Sequence, residues 1–404
     1  MNPAEAPAHA HPCPEWLAAR LRQAGGAVGF GQYMAWALHD PVHGAYGSGQ
    51  LRVGPQGDFA TSPSLGPDFA ALLAPQIAQW LQQLEPQGGQ PLALLEAGPG
   101  EGDLAHDLAL ELVTHWPQLA ARVELVLIEP NAGMAARQRQ RLQACPLPVR
   151  WSSFAALAAA PLRGVLLAHE VLDALPVERV IWDGNHWCRQ LVRLVPTAAA
   201  EPSLLLAAGE PLDPCRDGSL WKLLQQRDLW APAPHLPKGW TTELHTALEP
   251  WLAEAAAAIA SGTLLVIDYA LEGQRYNAAT RSAGTLLAYR GQTASTDVLR
   301  QPGHWDLTAH LCIPSLDAAA KAAGWSAAGH CRQGQALLAL GLAQRLHALQ
   351  QLPAGTLAQA LASREALLRL VDPAALGEFR WFAYRRGVEA PGVGDLFLND
   401  GPLS

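Results

Sequence analysis

Short apolar runs alternate with helical segments through the middle of the sequence, and this alternation constrains the fold most. Continuous apolar runs of about four to eight residues are typical of parallel strands buried on both faces. Helical segments at 102–115 and 131–143 separate the first of these runs from one another. The pattern predicts an α/β fold with a doubly wound parallel sheet. Its seven strands are expected at 91–98, 123–130, 148–151, 164–170, 263–270, 325–332 and 335–341.

The segments outside this predicted sheet divide the chain further. Insertions at about 171–260 and 281–312 interrupt the alternation, and the first contains a β-hairpin signal around Asp183-Gly184-Asn185. Ligands of open α/β sheets bind at the carboxyl ends of the strands, so both insertions are expected to cover the active site. The predicted organisation is a disordered tail at 1–20, a helical and loop segment at 21–90, the sheet domain at 91–345 and a C-terminal helical appendage at 346–404.

The composition limits the classes of function that the chain can serve. Its 404 residues carry a formal net charge of -8 at pH 7, which argues against a nucleic-acid-binding protein. No apolar run approaches the roughly 20 residues that cross a bilayer, and the first residues lack the basic and apolar regions of a secretory signal. The six cysteines form no CxxC pair, which is typical of free thiols in a reducing compartment. We therefore expect a cytoplasmic protein of bacterial type.

The N-terminal residues His9, His11 and Cys13 are of types that bind metals. No fourth ligand is near them in the sequence, whereas a structural metal site usually needs about four. We expect these side chains to belong to a solvated tail, and no metal site is predicted.

The first predicted strand leads into a glycine-rich turn, in the segment LLEAGPGEGD at 94–103. Gly98, Gly100 and Gly102 would let a ligand approach the main-chain N–H groups at the start of the next helix. Dinucleotide-binding turns have the spacing G-x-G-x-x-G and hold a diphosphate. Here the spacing is G-x-G-x-G, and Glu96 would repel a diphosphate but attract a cation. These features favour S-adenosyl-L-methionine, which carries a sulfonium and an ammonium group and no phosphate.

Glu129 extends this prediction to the second strand. It closes the apolar run VELVLIEP and is placed to accept hydrogen bonds from both hydroxyl groups of a ribose. A tight strand-to-helix turn without a ligand is the alternative explanation of the glycines. The predicted cofactor site consists of Glu96, Gly98, Pro99, Gly100, Gly102 and Glu129.

Six segments in a fixed order also carry a resemblance to a known family. They are GFGQYMAWALHDPVHGAYGSG (29–49), GDFATSP (57–63), LLEAGPGEGDLAHDL (94–108), HEVLDALPVERV (169–180), LLVIDYA (264–270) and DLTAHLCIPSL (306–316). They resemble the MidA-type class I S-adenosyl-L-methionine-dependent methyltransferases. That family includes the mitochondrial protein-arginine methyltransferase that assists assembly of respiratory complex I. The resemblance spans roughly residues 25–385.

This resemblance implies a Rossmann-like methyltransferase sheet and S-adenosyl-L-methionine as cofactor. It also implies protein arginine methylation, with a subunit of an NADH dehydrogenase type respiratory complex as the partner. Rossmann-type methyltransferases are often homodimers, although the sequence identifies no surface as an interface. The chain departs from the family pattern at His169, where Asn is usual, and at Ser64, where Glu is usual. These departures leave the identity of the substrate open.

Three residues after the fourth strand are predicted to face the acceptor. Glu170 and Asp173 follow that strand at the carboxyl edge, where they could orient a guanidinium group through bidentate hydrogen bonds. Asp173 could alternatively cap the following turn while Glu170 is solvated. His169 could accept a proton near neutral pH, although a supporting role is the more common one for such a histidine.

Loop residues supply further candidates. Asp58, Thr61 and Ser62 are predicted to close over the cofactor, or else Thr61 or Ser62 caps the helix that starts near Pro67. Tyr33, His43 and Tyr46 are candidates for an acceptor pocket, with core packing as the alternative. Asp306 and His310, in the second insertion, could also reach the site.

Three other functions compete with this one. An NAD-dependent oxidoreductase would need the G-x-G-x-x-G spacing, which is missing. A nucleic-acid methyltransferase usually has an Asn/Asp-Pro-Pro-aromatic motif after strand four, where this chain has HEVLDALP. A non-catalytic assembly factor would keep the cofactor fold as a scaffold, and only the departures at His169 and Ser64 favour it.

Overall fold

The computed structural model describes residues 10–84, 91–195, 202–229, 236–351, 353, 356–388 and 394–398. Its strands are β1 His11–Pro12, β2 Ala27–Gly29, β3 Leu92–Ala97, β4 Val123–Ile128, β5 Val149–Ser152, β6 Leu162–His169, β7 Glu178–Trp182, β8 Trp187–Val195, β9 Ser203–Pro211, β10 Thr241–Leu244, β11 Ile259–Asp268, β12 Ala270–Leu271, β13 Leu287–Arg290, β14 Thr293–Ser295, β15 Asp306–Thr308, β16 Leu311–Cys312, β17 Ser326–Arg332 and β18 Arg380–Arg386.

The α-helices are α1 Glu15–Gln23, α2 Phe30–His39, α3 Asp68–Leu84, α4 Asp103–His115, α5 Pro117–Ala120, α6 Ala132–Arg141, α7 Phe154–Leu157, α8 Gly218–Gln226, α9 Leu248–Ala258, α10 Gly273–Tyr276, α11 Ile313–Ala322, α12 Gln333–Ala339, α13 Leu342–Gln350 and α14 Leu357–Leu370. Short 3-10 helices lie at Pro63–Leu65, Leu376–Glu378 and Leu396–Leu398. Among the described helices, none has the length and apolar character needed to cross a membrane.

The chain forms two compact units, each built from three separate segments. The insertion unit consists of Met1–Leu51, Asp173–Pro250 and Ala270–Ala318. The sheet unit consists of Arg52–Leu172, Trp251–Tyr269 and Ala319–Ser404. The insertions predicted from the sequence therefore fold together with N-terminal residues.

The sheet unit contains a seven-stranded sheet in the order β17-β18-β11-β6-β3-β4-β5. The strands β11, β6, β3, β4 and β5 run parallel, whereas β18 runs antiparallel to both of its neighbours. All six residues of β3 are buried, as expected for a central strand covered on both faces. The core that covers it comes mainly from α3 and α4, including Phe69, Leu73 and Leu108. The predicted doubly wound α/β sheet is confirmed.

The last strand of this sheet was predicted at the wrong place. Residues 335–341 lie mostly in α12, where Leu337 is buried and Leu338 is 59% exposed. The seventh strand is β18, which falls within the predicted C-terminal helical appendage. That appendage is therefore helical only in part, at α13 and α14. A short apolar run does not distinguish a strand from a one-sided helix, because both bury a few consecutive apolar residues.

The insertion unit contains a six-stranded antiparallel sheet in the order β1-β9-β8-β7-β10, with β2 also paired to β8. The predicted hairpin is confirmed, since β7 and β8 pair on either side of Asp183-Gly184-Asn185. The second predicted insertion, at 281–312, contains a three-stranded sheet of β14, β13 and β15.

The predicted disordered tail at 1–20 is wrong for residues 10–20. His11 pairs with Leu204 in β9, and α1 begins at Glu15. Cys13 is only 5% exposed, and His11 Nε2 lies 3.0 Å from Asp297 Oδ1. His9 lies outside the described residues. The apolar side chains of α1, such as Leu17, anchor this segment in the core of the insertion unit.

Candidate functional site

The carboxyl ends of the central strands meet at one level of the sheet unit. Ala97 of β3 pairs with Ile128 of β4 on one side and with Ala168 of β6 on the other. His169 of β6 pairs in turn with Ile267 of β11. The residues that follow these positions therefore share one edge of the sheet. They include the glycine turn, Glu129, Glu170 and Asp268, which together form the candidate site.

The glycine turn joins β3 to α4 with a backbone that only glycine adopts easily. Gly98 and Gly100 have φ angles of 60° and 54°, in the left-handed region. A Cβ atom on Gly98 would lie 2.8 Å from Val171 Cγ2, and one on Gly100 would lie 3.9 Å from Val53 Cγ2. The main chain at Gly98 is thus in close contact with Val171, which follows β6. The space beside Gly100 is open. Gly102 is the residue immediately before α4.

Glu96 is buried just before this turn, with 4% of its surface exposed. Burial, together with the neighbouring charge of Asp103, raises the pKa of this carboxyl group to about 8. The Ala105 N–H donates a hydrogen bond to it, which partly opposes this shift. Its Oε2 atom has no hydrogen-bond partner among the described residues. A buried carboxyl oxygen without a donor is uncommon in a protein interior, and it is available to a ligand that can donate.

Glu129 follows β4 and is tied to the glycine turn through one glutamine. Its Oε1 accepts a hydrogen bond from the Asn131 N–H at 2.8 Å, and its Oε2 accepts one from Gln138 Nε2 at 3.0 Å. Gln138 Nε2 also donates to the Gly100 carbonyl at 2.9 Å. Burial raises the pKa of Glu129, although these donors oppose the shift. Each carboxylate oxygen keeps a second lone pair, so Glu129 can still accept from a ligand.

The loop before α3 places its three predicted cofactor residues differently. Asp58 Oδ2 accepts from the Arg52 N–H at 3.0 Å, and this closes a loop whose Val53 lies beside Gly100. Thr61 belongs to a local turn, because its N–H and carbonyl both bond to the Ser64 hydroxyl. Neither Thr61 nor Ser62 caps α3, which begins at Asp68.

Ser62 is a correction to the predicted cofactor set. It is fully buried, and its Oγ accepts a hydrogen bond from Gln333 Nε2 at 3.0 Å. The same nitrogen lies 3.0 Å from the carbonyl oxygens of Leu370 and Leu376, so its two hydrogens are shared among three acceptors. Gln333 Oε1 accepts from Trp381 Nε1 at 3.2 Å. Because its hydroxyl serves this internal network, Ser62 holds the fold together and is not carried forward as a cofactor contact.

His169 ends β6 in an aromatic environment. Its ring lies edge-on to Phe69, with centroids 5.5 Å apart, and it stacks on Phe379 at 6.2 Å. Burial lowers the pKa of His169 to about 3, so the imidazole is neutral at physiological pH. The low pKa favours a supporting role for His169 over that of a base near neutral pH. Its Nδ1 lies 3.5 Å from Glu170 Oε1, so the two side chains are neighbours at the end of β6.

Glu170 has a backbone conformation that is rare for its residue type. Its φ angle is 53°, in the left-handed region that costs a non-glycine residue about 1–3 kcal/mol. Its N–H donates to the Ile267 carbonyl at 2.8 Å, and its side chain is 11% exposed. Strain of this kind is concentrated at functional sites, so the structure singles out Glu170 among the predicted residues.

The sequence analysis did not identify Asp268 as a site residue, although it lies in the segment LLVIDYA. Asp268 ends β11 with no exposed surface. Its carboxylate accepts hydrogen bonds from the Leu172 N–H at 3.0 Å and from the Tyr269 N–H at 2.8 Å. An acid at the end of an apolar strand is the signal that could have indicated it, because buried carboxylates need donors that lie elsewhere in the chain.

The remaining predicted acceptor residues lie in the insertion unit. The Asp173 carbonyl accepts from the Ala309 N–H at 2.9 Å. Tyr33 is a core residue, since it is fully buried and its hydroxyl donates to the Val298 carbonyl at 2.8 Å. His43 stacks on Trp16 with ring centroids 5.0 Å apart.

The three other candidates of this unit are also held in place. Tyr46 stacks on His39 with centroids 6.2 Å apart, and Asp306 is buried in β15. The His310 N–H donates to Thr285 Oγ1 at 3.1 Å, and burial lowers the pKa of His310 to about 4. Of the set predicted for an acceptor pocket, Tyr33 is thereby assigned to core packing.

Comparison with known proteins identifies the family. A family described as "Putative S-adenosyl-L-methionine-dependent methyltransferase" matches residues 72–331, more than half of the chain. The chain belongs to this family. It is an S-adenosyl-L-methionine-dependent methyltransferase of class I, as the glycine turn and the sheet order already indicated.

Curated relatives and a solved structure agree with this assignment. The chain is 26% identical over 314 residues to "Protein arginine methyltransferase NDUFAF7, mitochondrial" of Danio rerio. The match covers 71% of this chain and 67% of that protein. It is 26% identical over 394 residues to the Drosophila melanogaster homolog of that enzyme, in a match that covers 90% of this chain and 83% of the homolog. A solved structure from Burkholderia thailandensis, a "likely methyl transferase" bound to S-adenosyl-homocysteine, is 28% identical with a TM-score of 0.80. That match covers 95% of this chain and 94% of the other.

The residues at the sheet edge of this methyltransferase fit its cofactor. Glu96 offers a buried carboxyl oxygen without a donor, which suits a cationic ammonium group. The open surroundings of Gly100 leave room for a ligand against the main chain. Glu129 offers two acceptor oxygens at the end of the neighbouring strand. Within the described residues, no group of three or more His, Cys, Asp or Glu side chains is placed to hold a metal ion.

Proposed function

We propose that this methyltransferase is a protein-arginine N-methyltransferase that acts on a subunit of an NADH dehydrogenase type respiratory complex. The observation that carries the proposal is the carboxylate of Glu170, held in a strained conformation at the end of β6. The relatives from Danio rerio and Drosophila melanogaster are named as protein arginine methyltransferases, and this supports the same acceptor. The cytoplasmic location and the homodimer remain predictions from the sequence.

The cofactor residues have separate roles in this proposal. S-adenosyl-L-methionine supplies an electrophilic methyl group on a sulfonium when it is bound. Glu96 binds its ammonium group and Glu129 binds its ribose hydroxyls, while Gly98, Pro99, Gly100 and Gly102 give it access to the main chain. Asp58 and Thr61 stay candidates for closing over it. None of these acids contacts the sulfonium in this scheme, because a contact that neutralises it would favour the ground state over the transition state.

The acceptor side depends on carboxylates and not on a base. A guanidinium group has a pKa above about 12, so no side chain deprotonates it before transfer. Glu170 and Asp173, three residues apart in the chain, would accept its N–H donors and fix its orientation. Neutral His169 lies beside the Glu170 carboxylate, with its Nδ1 atom 3.5 Å from Oε1. Positioning of the attacking nitrogen then supplies much of the rate enhancement.

The test compares methyl transfer and cofactor binding in Glu170→Gln and Asp173→Asn. The acceptor is a purified NADH dehydrogenase type complex from cells that lack this protein, and the labelled methyl group is located by intact-mass analysis. We expect transfer to fall about tenfold to a hundredfold, because an amide cannot offer two anionic acceptors to a guanidinium group. The affinity for S-adenosyl-L-methionine should stay within about threefold of the wild-type value.

Glu124→Gln is the matched control, since the half-buried Glu124 side chain pairs with Arg150 at 2.9 Å near the start of β4. It should leave both quantities unchanged. Full transfer by both site variants would contradict the acceptor role. Absence of transfer by the wild-type protein, with normal cofactor binding, would favour the non-catalytic assembly factor.

A further inference from the structure

The turn after β6 is fixed to the end of β11 at two points. The Glu170 N–H donates to the Ile267 carbonyl at 2.8 Å, and the Leu172 N–H donates to Asp268 Oδ2 at 3.0 Å. Between these points the chain carries the left-handed φ angle of Glu170. A conformation of this kind persists only where the surrounding structure imposes it, since a non-glycine residue would otherwise return to negative φ.

We propose that Asp268 is a positioning residue that holds Glu170 in its strained conformation and thereby aims the Glu170 carboxylate at the acceptor. The inference rests on the proposed function for the role of Glu170, but the mechanical link between the two residues can be tested without any acceptor. Asp268 itself does not touch the reacting atoms in this scheme.

A carboxylate is the side chain that this position requires. Two main-chain donors converge on it, from Leu172 and from Tyr269. A carboxylate presents only acceptors, whereas an amide presents one acceptor and one NH2 donor. In Asp268→Asn, one of the two N–H groups would therefore face a donor, in a place with no exposed surface. The Leu172 and Tyr269 N–H groups would then compete for the single amide oxygen. This competition weakens the attachment of the turn at Leu172, and Glu170 could relax.

A double-mutant cycle with Glu170→Gly tests this link through thermal unfolding. Glycine adopts a φ of 53° without strain, so the Glu170→Gly variant has no strain to release when Asp268 is changed. Asp268→Asn should lower the Tm by about 3 °C or more in the Glu170→Gly background, and by a clearly smaller amount in the wild-type background, because relaxation of Glu170 there recovers part of the lost stability. Equal shifts in both backgrounds would overturn the proposal, because Asp268 would then stabilise the fold without reference to Glu170.

Asp40→Asn is the matched control for this cycle. Asp40 is also buried, and its Oδ1 accepts hydrogen bonds from the Val42 and His43 N–H groups. It belongs to the insertion unit, and its loss should lower the Tm equally in both backgrounds. A Tm shift for Asp40→Asn that also depends on residue 170 would show that the coupling is not specific, and would likewise overturn the proposal.

A functional measurement separates positioning from general stability. In the transfer assay described above, Asp268→Asn should lower kcat at least about tenfold while the affinity for S-adenosyl-homocysteine stays within about threefold. Affinity and kcat that decline together would contradict a positioning role. If Glu170→Gln retained full transfer, the proposed function would fail, whereas the thermal coupling between residues 268 and 170 would stand or fall on its own.

Discussion

At the scale of single residues, Glu96 is the most unusual ionisable group of the site. A carboxyl group with a pKa of about 8 is protonated over most of the physiological pH range. It is neutral because burial penalises the charge, and its Oε2 has no donor among the described residues. A cationic ligand would supply both the donor and the compensating charge. Binding of such a ligand should therefore ionise Glu96.

This coupling predicts proton release on cofactor binding. Below pH 8 the free protein holds the Glu96 proton, so affinity for S-adenosyl-L-methionine should rise as the pH increases from about 6 to about 8, by up to tenfold per pH unit. Calorimetry in buffers of different ionisation heat measures the released proton. Glu96→Gln removes the group, and any proton change that it still shows belongs to the cofactor. Identical proton release by both proteins would contradict the prediction.

The raised pKa of Glu96 also determines how the stability of the ligand-free protein changes with pH. The folded state binds the Glu96 proton more tightly than the unfolded state, whose pKa is near the ordinary value of 4.5. The contribution of Glu96 to the free energy of unfolding is thus greatest below about pH 4.5 and is lost as the pH rises through about 8.

The residues of the site were predictable where the signal is local. Glu96, Gly100 and Glu129 stand next to strand ends, so the pattern alone placed them at the sheet edge. Gln138 and Asp268 were not predictable in this way, because their function depends on partners brought near by the register of the sheet. The left-handed backbone of Glu170 also has no sequence signal, since glutamate is not a residue that favours it.

At the scale of elements, one buried glutamine connects α12 to its neighbours in the sheet unit. Gln333 has no exposed surface and makes hydrogen bonds to Ser62, Trp381 and two main-chain carbonyls. It thus joins the loop before α3, the strand β18 and the segment after α14. Buried networks of this kind specify how elements dock, because each unsatisfied partner is costly.

The network predicts different consequences for two substitutions. Gln333→Leu removes the side-chain donor of the Leu370 carbonyl and the acceptor of the Trp381 N–H, while the Leu376 carbonyl still accepts from the Phe379 N–H. It should lower the free energy of unfolding by about 2–5 kcal/mol. Ser62→Ala removes one acceptor only, and should cost about 1 kcal/mol with unchanged affinity for S-adenosyl-L-methionine. Chemical denaturation and calorimetry measure these quantities. A clear loss of cofactor affinity in Ser62→Ala, without a loss of stability, would return Ser62 to the cofactor site.

The elements of the sheet unit differ in how well the sequence predicted them. The strands β3, β4 and β6 are continuous apolar runs with turn residues after them, and their positions were found to within two residues. The strand β18 reads RWFAYRR, with arginines at both ends and helices before it, so its apolar centre was too short to stand out. It becomes a strand because β11 offers it a complete antiparallel edge from Gly262 to Asp268.

At the scale of the whole molecule, the residues proposed to bind the cofactor all belong to the sheet unit. Glu96, Gly98, Gly100 and Glu129 lie in one of its three chain segments, Arg52–Leu172. That segment leaves the sheet unit after Leu172, and Asp173 begins the next segment of the insertion unit. Cofactor binding can therefore be tested by changes within a single segment, with controls placed in the other unit.

The most direct test of the account is a calorimetric titration of the folded protein with S-adenosyl-L-methionine. The wild-type protein should bind one equivalent, and NAD should give no binding heat. Gly100→Val should lower the affinity at least about a hundredfold, or roughly 2.7 kcal/mol, because a branched side chain at a φ of 54° deforms the turn and fills the open space beside it. Gly184→Val introduces the same side chain at a φ of 103° in the β7–β8 hairpin and should bind normally. Normal affinity in a folded Gly100→Val protein, or binding of NAD by the wild-type protein, would contradict the account.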